Sequence, residues 1–297
     1  MKLSTEHYHL QERIGDERAI TQLKEAGFDA IDMSLFCMSQ DDNIFNTSDY
    51  RRYAKELRAH ADALGIPFNQ SHACFGFDFT NVAAFTEQFY PKQVRALEIA
   101  GILGCHAVVI HPLHGPMSYR GHEEELFEIN MKFYRSLLPY AKEYGVKIAL
   151  ENMWQRDQKR KGIIVDSTCS QAGEFIRYLD TLNDEHFVAC LDIGHCALVG
   201  DDPADTIRAL GRERLQALHV HDNDFLNDQH TFPYLGKYNW EEIIKALAEI
   251  DYQGDLTMES DGLYHSLPIP LLPAADRFLV AIGRYLIERY EFYRKNA

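Results

Sequence analysis

Acids that close short apolar runs are the chemically informative residues of this chain. Glu151 follows Ile148, Ala149 and Leu150, Asp192 follows Leu191, and Glu259 follows Leu256 and Met258. An isolated carboxylate at the end of a buried strand is costly unless a partner neutralises it. Taken singly, such an acid serves as a helix N-cap or an ion-pair partner; three converging on one rim call for a cation. The imidazole of His219 in the string ALHVHD completes a Glu, Asp, His, Glu set. One nitrogen among carboxylate oxygens suits Mn²⁺, Zn²⁺, Co²⁺ or Mg²⁺ and does not distinguish among them. His72, His111, His195, His221, Asp228 and His230 fall near the same strand ends. They are candidates for substrate binding or for additional metal ligation.

Positioning these groups requires strands that end together. Strand-like runs occur at 1–5, 29–35, 67–73, 106–112, 146–152, 187–194, 215–222 and 255–260, separated by amphipathic segments. Tyr50, Tyr53, Leu57, Ala61 and Leu64 keep helical spacing and stop at Gly65, and Asn239 with Glu242 forms a capping-box pattern before the segment to 250. Alternation of strand and helix implies a parallel sheet, and eight units close into a barrel. His72, His111, Glu151, Asp192, His219 and Glu259 are separated by 39, 40, 41, 27 and 40 residues. Steps of about one unit bring successive strand ends to one face. The expected fold is α/β, a single (β/α)₈ TIM barrel over residues 1–297, since no Pro/Gly/Ser-rich linker or repeat divides the chain.

Composition narrows the partners. Of the 297 residues, 46% are hydrophobic and 25% charged, which supports a packed core rather than disorder. The net charge of −15 disfavours nucleic acid and anionic membrane. Six cysteines without a C-x-x-C pair, and no signal-like or membrane-spanning apolar run, point to a cytoplasmic protein. His7, His9, His60, His106, His122, His186 and His265 read as surface or packing residues.

The strings SHACFGFDF, VVIHPLHG, ALENM, CLDIGH, LHVHDND with DQHTFPYLG, and TMES resemble the xylose isomerase-like TIM barrel superfamily, which holds sugar phosphate isomerases and epimerases and also endonuclease IV. The resemblance covers essentially the whole chain. It implies one divalent metal on Glu151, Asp192, His219 and Glu259, with Glu151 and Glu259 as the acid/base pair and His195 touching substrate. His219 rather than His221 corresponds to the first His of the family's H-V-K-D string. The likeness to endonuclease IV extends to nine residues that would hold three zinc ions: His72, His111, Glu151, Asp192, His195, His219, Asp228, His230 and Glu259. The net charge and the absence of that enzyme's L-N-D-A-K string oppose a DNA substrate.

Arg156, Lys159, Arg160 and Lys161 follow Glu151 as a basic run that either grips a phosphate or forms a solvated loop. No G-x-S-x-G, H-E-x-x-H, P-loop or G-x-G-x-x-G is present, so hydrolase triads, zincins, NTPases and dinucleotide enzymes lack support. The expected activity is isomerisation or epimerisation of a small sugar, sugar phosphate or related hydroxy-ketone through an enediolate. The alternatives are a multi-zinc phosphodiesterase and a dehydratase of the same superfamily. A homo-oligomer is compatible with each.

Overall fold

The computed structural model describes residues 1–114 and 117–296. Eight parallel strands form its sheet: β1 (Leu3–Glu6), β2 (Ala30–Ser34), β3 (Phe68–His72), β4 (Ala107–Val109), β5 (Lys147–Glu151), β8 (Phe187–Asp192), β9 (Leu215–His219) and β10 (Leu256–Met258). Their order is β10-β1-β2-β3-β4-β5-β8-β9, and a parallel bridge from Val220 to Met258 joins the two outer members. The result is the (β/α)₈ barrel expected from the alternation. All eight expected strands are present. Several ladders end early because the chain bends into loops at the rim: pairing stops at Val109, two residues before His111, and at Met258, just before Glu259.

Side-chain alternation along each strand explains the site. In β5, Ile148 and Leu150 join the large core between sheet and helices, whereas Ala149 joins Ala107, Val109, Val188, Cys190 and Ala217 in a small separate cluster. The latter are the inward-facing members, and two residues further along the same inward rows stand His111, Glu151, Asp192 and His219. Small residues therefore line the barrel interior beneath a polar rim. Register keeps the rows level, with Glu151 opposite Cys190 and Asp192 opposite His219.

The helix Tyr50–Leu64 ends at Gly65 with φ 68°, as its pattern indicated. The helix Trp240–Glu249 is capped by the Asn239 side chain, which accepts from the Glu242 N–H at 3.4 Å. Only that half of the expected box forms, since the Glu242 carboxylate turns to Arg208 at 3.5 Å. One element was not foreseen. The expected loop after Glu151 contains an antiparallel hairpin of β6 (Trp154–Arg156) and β7 (Ile164–Asp166), which brings Trp154 and Arg156 to the barrel mouth. Among the described residues no helix is long and apolar enough to cross a membrane, and all six cysteines are free.

Candidate active site

The C-terminal ends of the strands open into a cavity of about 760 Å³. His72, His111, Glu151, His195, Asp228, His230 and Glu259 line it, together with Tyr8, Phe36, Phe75 and Trp154. Asp192, His219 and His221 lie just beneath, fully buried. The acids and histidines expected at the strand ends thus converge.

Apart from His111 they sort into three groups of donor atoms, each within 4.8 Å, the first two sharing Glu151 and His219: Glu151, Asp192, His219 and Glu259; His72, Glu151 and His219; and His195, His221, Asp228 and His230. In the first, Nδ1 of His219 lies 2.7 Å from Glu151 Oε1 and 3.2 Å from Glu259 Oε2. Beside the second, His111 Nε2 approaches Glu151 Oε2 at 2.8 Å and His72 Nε2 at 3.0 Å. In the third, Asp228 Oδ2 lies 3.3 Å from His230 Nε2 and 3.7 Å from His195 Nε2, and accepts from Trp154 Nε1 at 3.1 Å. His221 and His230 stack with centroids 3.9 Å apart.

Backbone carbonyls orient the rings. Nδ1 of His72 donates to the Ala73 carbonyl at 2.8 Å, Nδ1 of His195 to the Asn152 carbonyl at 2.7 Å, and Nδ1 of His230 to the Glu259 carbonyl at 2.9 Å. A carbonyl only accepts, so each Nδ1 carries a proton and each Nε2 faces the cluster. Asp192 does two jobs. Its Oδ1 caps the helix Ile193–Leu198 through the His195 N–H at 2.9 Å, while its oxygens face His221 Nε2 at 3.0 and 3.1 Å. Gly194 permits this, because a Cβ there would sit 1.8 Å from the His221 ring.

Electrostatics confirm that these charges depend on each other. Burial would raise the Glu151 carboxyl, but His219 and His111 outweigh it and hold the group well below its ordinary value. Burial beside Glu151 and Asp192 drives Glu259 well above. Burial would lower His195, yet Asp192 and Asp228 raise it to about 10, whereas burial, with His72 and His114 adding to it, takes His111 down to about 4 against the pull of Glu151. Protons thus occupy, in part, the place where carboxylates and imidazoles would share a cation. The donor set fits one: Asp228 Oδ1 and His221 Nδ1 are buried without a hydrogen-bond partner.

A family model described as xylose isomerase-like TIM barrel matches residues 20–274. The chain belongs to that family. Within it, this xylose isomerase-like barrel is 29% identical over 218 residues to the uncharacterized protein MJ1311 of Methanocaldococcus jannaschii, covering 71% of this chain and 67% of that one. It is 32% identical over 125 residues to the D-psicose 3-epimerase of Enterocloster bolteae, covering 42% of this chain and 37% of the epimerase. The sequence match to that epimerase therefore spans well under half of its length. The crystal structure of a D-tagatose 3-epimerase-like protein superposes with a TM-score of 0.76 at 20% identity, over 100% of this chain and 99% of the other. That likeness establishes the fold.

Of the basic run, Arg156 alone lines the cavity, with its guanidinium 5.5 Å from the Trp154 ring centroid. Arg160 turns to Asp157 at 2.7 Å, and Lys159 and Lys161 are exposed outside the lining. Four buried residues were not singled out from sequence. Asn152 clamps Asp192; Asp32 faces His219; and Glu6 at the end of β1 pairs with His9 at 2.6 Å, which places His9 in a buried ionic group rather than plain packing. For Glu6 and Asp32 the signal was available: Asp32 lies between Ile31 and Met33 and Glu6 three residues after Leu3, so period-two alternation turns both acids away from the face that packs into the large core.

Proposed function

We propose that this chain is a divalent-metal-dependent epimerase or isomerase of a small sugar, sugar phosphate or related hydroxy-ketone. The observation that carries the reading is the meeting of two glutamates from β5 and the end of β10 on one imidazole, His219, with Asp192 in reach. The identity with a D-psicose 3-epimerase supports the reaction type. Glu151, Asp192, His219 and Glu259 would hold the cation, which supplies Lewis-acid polarisation of a substrate carbonyl.

The protein's own part is proton transfer and orientation. Glu151, kept ionised by His219 and His111, is the group that accepts a proton from the carbon beside the carbonyl. Glu259 returns one from the other face in an epimerisation or at the neighbouring carbon in an isomerisation. His195 and His230 on the cavity wall are placed to bind substrate hydroxyls, and Arg156 is the residue of the basic run placed to meet a phosphate. Phe36, Phe75 and Trp154 offer faces to sugar C–H groups and limit water. Electrons stay within the substrate, so the chemistry requires no redox cofactor.

The test is elemental analysis followed by incubation of metal-loaded protein with ketopentoses, ketohexoses and their phosphates in deuterated water. Deuterium should enter the carbon adjacent to the carbonyl as the epimer or isomer forms. Absence of exchange across the panel would overturn the reading. A second reading, a multi-zinc phosphodiesterase, is favoured by one observation, the three donor groups; nicking of an abasic-site duplex would select it.

A further inference from the structure

Asp32 is a carboxylate buried inside the barrel, away from the cavity. It belongs to β2, is 0% exposed, and pairs in register with Gln70 inside the barrel. Its Oδ2 accepts from Gln70 Nε2 at 2.8 Å and faces Nε2 of His219 at 3.3 Å, while Oδ1 is buried without a hydrogen-bond partner. Among the described residues its one ion-pair partner is His219. An acid so poorly compensated is expensive in a barrel interior, where an apolar or amide side chain would pack at lower cost.

The geometry of His219 explains the expense. Its ring presents one nitrogen edge to Asp32 and the opposite edge, Nδ1, to Glu151 and Glu259 at 2.7 and 3.2 Å. A carboxylate can only accept, and both edges of the ring face one, so Asp32 offers the ring proton a partner at Nε2 in place of the one Glu151 offers at Nδ1. The Nδ1 lone pair is then aimed at two further carboxylates, an arrangement that repels unless a cation lies among them. A carboxylate behind a histidine both selects its tautomer and raises the basicity of the opposite nitrogen. We propose that Asp32 is a positioning residue that commits His219 to cation binding through Nδ1, an inference that rests on the metal-site reading above.

The experiment uses metal-stripped full-length chain titrated with zinc against a competing chelator. The relevant site is the one lost in His219→Ala. Asp32→Asn keeps the shape and an acceptor for Nε2–H but removes the charge, and it should weaken that site by about 10- to 100-fold while the far-ultraviolet circular dichroism stays unchanged. Affinity equal to wild type would overturn the proposal and leave the metal reading standing. No zinc or manganese binding by the wild-type chain would overturn both. If Asp32→Asn does not fold, histidine ¹⁵N spectra of zinc-loaded wild type decide: His219 should show a protonated Nε2 and a metal-shifted Nδ1, and a protonated Nδ1 would overturn the proposal.

Discussion

Asn152 and Asp192 exchange two hydrogen bonds: the Asp192 N–H donates to Asn152 Oδ1 at 2.8 Å, and Asn152 Nδ2 donates to the Asp192 carbonyl at 2.9 Å. The Asn152 carbonyl also accepts from His195 Nδ1. One residue therefore sets the positions of two site residues, Asp192 through its side chain and His195 through its carbonyl. Asn152→Ala removes the side-chain partner of the buried Asp192 N–H, and it should cost about 1–3 kcal/mol of stability. Chemical denaturation checks the figure; an unchanged midpoint would contradict the clamp.

Glu151→Gln and Glu259→Gln each preserve size while removing a charge and a proton-transfer group. Each should lower turnover by about 10²-fold or more, with the barrel still folded by circular dichroism. Near-full activity in both variants would exclude the two-glutamate mechanism.

His195→Ala and His230→Ala should weaken turnover but leave one tightly held metal per chain, because the Glu151, Asp192, His219 and Glu259 group stays intact. Metal content per chain is the measurement. Loss of two metals would favour the phosphodiesterase reading.

His9 gives the protein a pH-dependent stability outside the donor groups. Burial opposes its protonation, but the carboxylates of Glu6 and Asp276 outweigh it and raise the pKa to about 9, against 6.5 for a free histidine. A raised histidine pKa means that the stabilisation is full below about pH 6.5 and is lost as pH rises through about 9, an effect on the order of 3 kcal/mol at most. Urea unfolding from pH 6 to 9.5 should show a steeper loss for wild type than for His9→Gln. Parallel curves would rule out the contribution.

Duplex DNA should not bind appreciably at about 0.15 M salt. Tracking a backbone needs several cations on one face, whereas Arg156 is the member of the basic run at the cavity and the net charge is −15. Titration of an abasic-site duplex with metal-loaded protein tests this, and submicromolar binding with nicking would sink the epimerase reading.

The sequence by itself determined the eight strands, their order around a barrel, and the rim on which Glu151, Asp192, His219 and Glu259 stand. These are local properties: period-two alternation and the position of a polar residue at a strand's end are written in consecutive residues. Tertiary structure decided how the histidines divide, sending His219 to Glu151 and Glu259 and His221 to Asp192 and the stack with His230. It also decided that Lys159, Arg160 and Lys161 stay away from the cavity, because the unforeseen hairpin points only Arg156 inward. Asp32 became legible last. Its partner His219 is 187 residues away, and only closure of the barrel, which makes β2 and β9 share one interior, gives a strand-borne acid a histidine to hold.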